Sequence, residues 1–132
     1  MEITRVINLK DKKAVEEAKK AGLFVRIDRK SKFGNPFKIG KDGNREQVIE
    51  LFINLCLVNY KLEKDKCIEE LDELKGKVLA CHCVPELCHG NILAILAETW
   101  PDCLNCNNKL KPAFDTAAKK YTQYNWRCDC SP

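Results

Sequence analysis

Strand and helix patterns alternate along the first 28 residues, and this alternation limits the fold more than any other feature of the sequence. Residues 4–9 form a short β-branched segment, and Asp11 then stands where a helix N-cap is expected. Alanine and valine recur at helical spacing until Gly22, a typical helix stop. Residues 23–28 are again rich in strand-forming side chains. This order predicts a βαβ unit with a right-handed crossover, and therefore a parallel sheet.

The alternation continues further along the chain. Asn44 and Gln47 have the spacing of a capping box at the start of a long helix, and a shorter helix is expected over residues 65–74. A third strand over residues 77–83 and an apolar helix over residues 90–100 follow. The second half of the α/β pattern therefore ends close to residue 100.

The length of 132 residues suits one well-packed domain with a small appendage. We predict a three-layer α/β domain over residues 1–100, in which helices flank a mostly parallel sheet and a small ligand binds. Residues 101–132 have little aliphatic content and are expected to form a small, separate zinc-ribbon-like module with four cysteines.

Composition excludes several other classes of protein. Hydrophobic residues make up 45% of the chain and charged residues 32%, which is typical of globular proteins and not of disordered or fibrous ones. No apolar run is long enough to cross a bilayer, and the N-terminus lacks a signal-peptide pattern, so we expect a cytoplasmic protein without a membrane partner. Nine cysteines in a reducing compartment favour metal binding or thiol chemistry over disulfides.

Positive charge is concentrated in the N-terminal third of the chain. Residues 1–43 contain twelve Lys and Arg against six Asp and Glu, while the whole chain has a net charge of only +4. This distribution suits a small anionic ligand or nucleic acid, although a solvated lysine face is the commoner explanation.

The cysteines near the C-terminus give the clearest chemical signal. They form a Cys-x-x-Cys pair, Cys103 and Cys106, and a Cys-x-Cys pair, Cys128 and Cys130. Two such pairs can enclose a tetrahedral ion, so we predict a structural zinc site. The alternative is four free cysteines in an unstructured tail.

The same C-terminal segment is rich in cationic and aromatic residues. Such residues can hold phosphates and stack on bases, so nucleic-acid binding is one interpretation, and a simple cover for a zinc ribbon is the other. The residues are Lys109, Lys111, Lys119, Lys120, Tyr121, Tyr124, Trp126 and Arg127.

The loop after the second predicted strand contains candidate ligand-binding residues. Loops at the carboxyl ends of parallel strands form the ligand crevice of open α/β sheets. Gly34 permits close approach of the backbone, the Asn35 amide could contact a polar ligand, and Arg29 could bind a phosphate or carboxylate. Alternatively, this segment is a turn that places Phe33 and Phe37 in the core.

A second candidate site follows the third predicted strand. Alternation along that strand places Cys81 and His82 on opposite faces, so they are not expected to share an ion. Cys88, His89 and Gly90 then begin a helix, whose positive dipole end would favour an anion or a thiolate.

Three interpretations of this segment remain open. It could be a ligand pocket, a zinc site formed by Cys83, Cys88 and His89, or a set of purely structural small residues. In the pocket interpretation Cys83 and Gly90 bind the ligand. His89 is then the acid or base, Cys88 a candidate catalytic thiol, and Glu86 a spare carboxylate.

The chain also resembles a known family over residues 3–98. The residues that carry the resemblance are Gly34, Asn35, Pro36, Phe37, Ile39, Gly40, Asp42, Gly43, Arg45 and Glu46, then Gly76, Lys77, Leu79, Cys81, Cys83, Pro85, Cys88, His89, Gly90 and Leu93. This pattern is similar to the domain of unknown function 4326 of bacteria, phages and large viruses. A looser similarity links the cysteine strand and the following Cys-His pair to domain of unknown function 488.

The resemblance implies an α/β domain, but it carries no established activity. It implies a shared pocket formed by Arg29, Asn35, Cys83, Cys88 and His89. At His82 the chain departs from the family, where the position is often aromatic, so the resemblance implies no role for this residue.

We therefore predict that the domain binds a nucleotide, nucleoside or related phosphorylated metabolite between the Gly34 loop and the helix that starts at Cys88. Hydrolysis or transfer at a glycosidic or phosphate bond is the reaction class expected if the protein is an enzyme. The alternative is a binder without catalysis, which either sequesters a nucleotide signal or holds nucleic acid through its C-terminal zinc module.

Overall fold

Helices and strands alternate through most of the chain. The computed structural model describes residues 3–28, 31, 33–82, 86, 88–128 and 130. Within them the elements are β1 (Arg5–Asn8), α1 (Lys12–Lys20), β2 (Phe24–Arg26), α2 (Arg45–Leu62), α3 (Lys64–Leu74), β3 (Val78–Cys81), α4 (His89–Glu98), β4 (Lys111–Asp115) and β5 (Lys120–Arg127). The predicted mixed α/β fold is confirmed.

The first three strands form a parallel sheet in the order β1-β3-β2. β3 lies in the middle, and the connection from β1 through α1 to β2 passes across it. The register pairs Ile7 of β1 and Arg26 of β2 with Ala80 of β3. The carboxyl ends of all three strands therefore meet at one edge of the sheet, where α4 begins.

The two faces of β3 pack against different helices. Val78 and Ala80 lie in a buried cluster with Ala18 of α1. Leu79 and Cys81 lie in the larger cluster, which contains residues of α2, α3 and α4. All four β3 side chains are at most 2% exposed, so the period-two alternation read from the sequence gives the correct facing of this strand.

Local signals explain where the helices begin and end. Asn44 and Gln47 form the predicted capping box at the start of α2, with both hydrogen bonds at 2.8 Å. Gly22 follows α1 with a φ of +73°, a left-handed conformation that glycine adopts without strain. No helix in the described ranges is both long and apolar enough to span a bilayer.

The C-terminal segment forms an antiparallel hairpin of β4 and β5 that packs on the α/β core. These two strands were not predicted from the sequence. Tyr121 is 7% exposed and belongs to the same buried cluster as residues of α2 and α4. Its ring packs edge-on against the Phe114 ring, with the two centroids 5.4 Å apart. Arg127 forms an ion pair of 3.2 Å with Glu50 of α2. The hairpin thus shares a core with residues 1–100, while the division into two domains stays a prediction.

Candidate functional site

The carboxyl edge of the parallel sheet brings several of the predicted site residues together. Cys88, His89 and Gly90 are all buried where α4 begins, beside the ends of β2 and β3. Two other predicted ligand-binding residues, Arg29 and Cys83, lie outside the described residues. Glu86 is exposed in the segment before α4.

One hydrogen bond determines the tautomer of His89. Its Nε2 lies 2.7 Å from the backbone carbonyl oxygen of Ile27, so Nε2 must carry the proton and donate it. Its Nδ1 then presents a lone pair, and this atom lies 3.6 Å from Sγ of Cys88. The Phe52 ring packs edge-on against the imidazole, with the two ring centroids 5.2 Å apart. The arrangement orients Nδ1 of the imidazole toward a thiol, as in Cys-His pairs that activate a nucleophile.

Cys88 is the N-cap of α4, a position usually taken by an oxygen-bearing side chain. Its sulfur accepts the N–H of Gly90 at 3.3 Å, and its own N–H donates to the side chain of Asn91 at 3.0 Å. Its Sγ also lies 2.9 Å from Sγ of Cys81 at the end of β3. A ligand oxygen at this helix start would therefore compete with the cysteine sulfur for the Gly90 amide.

Gly90 permits close packing between α4 and the sheet. A Cβ atom on Gly90 would lie 2.5 Å from Cδ1 of Ile27 and 3.2 Å from Cγ1 of Val6. The residue is buried. This close packing explains why a glycine is needed at the position. A contact between Gly90 and a ligand stays a prediction.

The amide of Asn35 is bonded within the fold. Its Nδ2 donates to the backbone oxygen of Val48 at 3.2 Å, and its Oδ1 accepts the N–H of Phe37 at 3.0 Å. The side chain is 7% exposed and joins the Gly34 loop to α2. Through these bonds Asn35 shapes the Gly34 loop, which would contact a ligand. A direct contact between the Asn35 amide and a ligand stays a prediction.

A cluster of polar side chains that was not predicted from the sequence lies on the opposite face of the same sheet edge and consists of Arg26, Asp28 and His82. The Asp28 carboxylate accepts two hydrogen bonds from Arg26, at 2.7 and 2.8 Å, and lies 3.4 Å from Nε2 of His82. Chiefly because of the hydrogen bonds from Arg26, the pKa of Asp28 is lowered. Arg26 pairs with Ala80, so the register continued by two residues brings Asp28 beside His82. The cluster depends on the pairing of β2 with β3, which are far apart in the sequence. Local sequence patterns therefore do not reveal it.

A cavity of about 320 Å³ lies between the Gly34 loop and helices α2, α3 and α4. Its apolar walls include Phe33, Phe52, Leu93 and Trp100. The cavity borders the middle of α4, whereas the crevice predicted from the sequence lies at the first turn of that helix. Phe52 connects the two places, because its ring lines the cavity and contacts His89.

The four C-terminal cysteines come together as predicted. All four Sγ atoms lie within 4.8 Å of one another, with Cys103 and Cys130 at 3.7 Å and Cys106 and Cys128 at 3.6 Å. Zn–S bonds of about 2.3 Å in a tetrahedron place sulfur atoms about 3.8 Å apart. The spacing of the sulfur atoms thus fits a single tetrahedral metal ion.

The thiols of this quartet differ in acidity. Backbone amides of Cys106 and Asn105 donate to Cys103 and lower its pKa to about 6. The sulfurs of Cys128 and Cys103 raise the pKa of Cys130 to about 12. Because four thiolates this close repel one another, the fully ionised set requires a cation.

The fold and the cysteine cluster define an α/β protein with a group of four cysteines that could hold a metal ion. The chain belongs to the family described as Domain of unknown function (DUF4326), whose model matches residues 7–99. The resemblance read from the sequence is thereby confirmed, whereas the looser similarity to domain of unknown function 488 stays a prediction. The cysteine quartet lies outside the matched residues.

The chain is also similar to a phage protein described as "Uncharacterized 12.4 kDa protein in nrdA-td intergenic region" of Enterobacteria phage T4. The two are 38% identical over 76 residues, which is 57% of this chain and 68% of the phage protein. No solved structure gave a significant match.

Proposed function

We propose that the chain is a three-layer α/β ligand-binding protein that binds a nucleotide, nucleoside or related phosphorylated metabolite between the Gly34 loop and α4. The observation that carries this proposal is the cavity between these two elements. Its volume of about 320 Å³ is at the small end of the range for ligand pockets. A molecule of nucleoside size is therefore a suitable occupant.

The lining of the cavity supports a ligand with one flat apolar part and one polar part. Phe33, Phe52 and Trp100 offer aromatic surfaces for a base. The polar lining residues are Asn59, Glu63, Lys66 and Glu70, of which Lys66 pairs with Glu63 at 3.5 Å, and they could contact the hydroxyl groups of a sugar. Arg29, which precedes the Gly34 loop in sequence, is proposed as a phosphate contact.

If the protein is an enzyme, Cys88 and His89 are its candidate nucleophile and base, because Nδ1 of His89 points toward the thiol. Glu86 would be a carboxylate near the same helix start. The reaction we would test is hydrolysis or transfer at a glycosidic or phosphate bond. A binder that sequesters a nucleotide signal without turnover is the alternative.

A first experiment identifies the ligand directly. Freshly purified protein is denatured, and mass spectrometry determines the small molecules released. In parallel, a panel of nucleosides and nucleotides is screened by thermal shift. A ligand present at 100 times its Kd should stabilise the chain by about 2.7 kcal/mol. Absence of both a co-purified nucleotide-like molecule and any stabilising member of the panel would contradict the proposal.

We also propose that zinc is the ion held by Cys103, Cys106, Cys128 and Cys130 as a structural site. Four cysteine thiolates in a tetrahedral arrangement are typical of structural zinc. The zinc-ribbon-like description is supported by the β4–β5 hairpin, since Cys128 follows β5 directly.

Nucleic-acid binding through the hairpin is a second candidate function. Tyr124 is 83% exposed on β5, Lys120 is exposed at the first position of the same strand, and Lys119 is exposed in the turn before it. An aromatic ring beside cations is suited to a single strand. Binding of a single-stranded oligonucleotide should weaken steeply with salt and decrease in Tyr124→Ala, but not in the control Lys20→Ala on α1. Equal binding by both variants would exclude the hairpin as the binding surface.

A further inference from the structure

The sulfur atoms of Cys81 and Cys88 are unusually close. They lie 2.9 Å apart, while the sulfur pairs of the C-terminal quartet are separated by 3.6 and 3.7 Å. Cys81 ends β3 and Cys88 precedes α4, and each residue is 1% exposed. Cys81 and Cys88 are seven residues apart in sequence, and their thiols are in direct contact in the protein interior.

A zinc ion shared by this pair would need a wider sulfur separation and further ligands. Two thiolates on one tetrahedral zinc are about 3.8 Å apart, because each Zn–S bond is about 2.3 Å. Among the described residues, the C-terminal quartet is the group in which at least three metal-ligating side chains lie close together. Neither Cys81 nor Cys88 belongs to such a group. The two sulfur atoms are already in direct contact, and a movement of about 0.9 Å would bring them to the disulfide bond length of about 2.05 Å.

We propose that Cys81 and Cys88 form a redox-active dithiol that closes to a reversible disulfide between β3 and α4. The modification site consists of these two thiols, and Nδ1 of His89 is the proton acceptor. The proposal does not depend on the identity of any ligand of the cavity. It is also separate from the metal site, which uses four other cysteines.

Hydrogen peroxide is the class of oxidant that the burial of the pair favours, because it is small. Cys88 transfers its proton to Nδ1 of His89, and the thiolate attacks one peroxide oxygen. An S–O bond forms, the O–O bond breaks, and the departing hydroxide takes the proton back from His89 as water. Cys81 then attacks the Cys88 sulfur, the S–S bond forms, and the S–O bond breaks. The second hydroxide leaves as water with the Cys81 proton, so two thiols are oxidised and one peroxide is reduced.

The disulfide would change the start of α4. In the reduced chain the Cys88 sulfur caps the helix through the Gly90 amide and faces His89. In the oxidised chain the sulfur has no proton to exchange and no longer acts as a nucleophile. Oxidation would therefore abolish the thiol chemistry of Cys88 until a thiol reductant restores it.

The test maps disulfides in the full-length, metal-loaded chain. Reduced protein is treated with one equivalent of hydrogen peroxide, remaining thiols are alkylated, and the chain is cleaved after glutamate. Cleavage after Glu73, Glu86 and Glu98 separates Cys81 and Cys88 into two peptides. We expect these peptides to be linked, with Cys83 in the first peptide alkylated, and the link to disappear after dithiothreitol treatment.

Matched variants make the result specific. Cys83→Ser should retain the link, as should Cys56→Ser, which removes a thiol whose pKa burial raises to about 12. Cys81→Ser should abolish it. A link through Cys83, alkylation of both Cys81 and Cys88 while other thiols oxidise, or a second zinc bound per chain and lost in Cys88→Ser would each overturn the proposal.

Discussion

At the scale of single residues, the chemistry of His89 depends on one backbone carbonyl. The sequence places a histidine next to a cysteine at a helix start, but it does not indicate which ring nitrogen carries the proton. The bond from Nε2 to the Ile27 oxygen decides this, because it leaves Nδ1 facing Cys88. Ile27 is 62 residues away in sequence, so only the packing of α4 against the residue that follows β2 reveals the pairing.

Gly90→Ala should destabilise the chain through a steric clash. The added Cβ would lie 2.5 Å from Cδ1 of Ile27 in a buried contact. We expect the free energy of unfolding to fall by about 1–3 kcal/mol, measured by urea denaturation. Ile27→Val removes the clashing methyl group and alone costs about 0.5–1.5 kcal/mol.

The double variant tests this explanation of the glycine. If the clash with Ile27 is the cause, Gly90→Ala combined with Ile27→Val should lose less stability than the sum of the two single variants. Strict additivity would show that the close approach of α4 to β2 does not require glycine.

Asp28→Asn should lower stability at neutral pH and have little effect in acid. Because Arg26 holds the pKa of Asp28 below its usual value of 3.8, the ionised carboxylate contributes stability above that pH. This contribution is lost as the pH falls through the lowered folded-state pKa. We expect a loss of at most about 1 kcal/mol at pH 7, since Arg26 is half-exposed and solvent weakens the pair.

The measurement compares urea denaturation at pH 7 and pH 3. Asp72→Asn, at an exposed position on α3, is the control. An equal loss of stability for Asp28→Asn at both pH values would show that the charge of Asp28 is not what stabilises the edge of the sheet.

At the scale of elements, local patterns were sufficient for the α/β part and insufficient for the hairpin. The capping box of α2 and the alternation in β3 depend on neighbouring residues, so the sequence predicted both. The strand β5 (Lys120–Arg127) contains polar residues on much of its surface, and its burial depends on Tyr121 packing on the α2–α4 core. That contact joins distant segments, so the local sequence does not predict it.

Removal of the proposed zinc ion should loosen the hairpin before it unfolds the α/β part. The four cysteines connect the segment before β4 to the end of β5, and Tyr121 is held in the core by the same hairpin. We expect a chelator to lower the melting temperature and to change the near-ultraviolet circular dichroism, while most of the helical signal remains.

Metal content provides the control for this prediction. Cys67→Ser, at a cysteine of α3 outside the quartet, should retain one zinc per chain, whereas Cys106→Ser should not. Freshly purified, reduced protein with far less than one zinc per chain would contradict the structural zinc site.

At the scale of the whole molecule, the sequence located the start of α4 more accurately than the cavity. Cys88 and His89 were placed at a strand edge and helix start, where the structure has them. The cavity was not located as well, because its walls come from the packing of α2, α3 and α4 around Phe52. The Arg26, Asp28 and His82 cluster was missed because it depends on the pairing of β2 with β3.

The central claim is that the cavity between the Gly34 loop and α4 binds a nucleotide-like ligand. Calorimetric titration with the best-stabilising nucleoside or nucleotide of the thermal-shift panel tests it most directly, using two tryptophan variants on α2. Asn59→Trp places a bulky ring at an exposed lining position, and Asn54→Trp places it at an exposed position away from the cavity. We predict at least a tenfold weaker affinity for Asn59→Trp and an unchanged affinity for Asn54→Trp. Equal affinity of the two variants would contradict the claim.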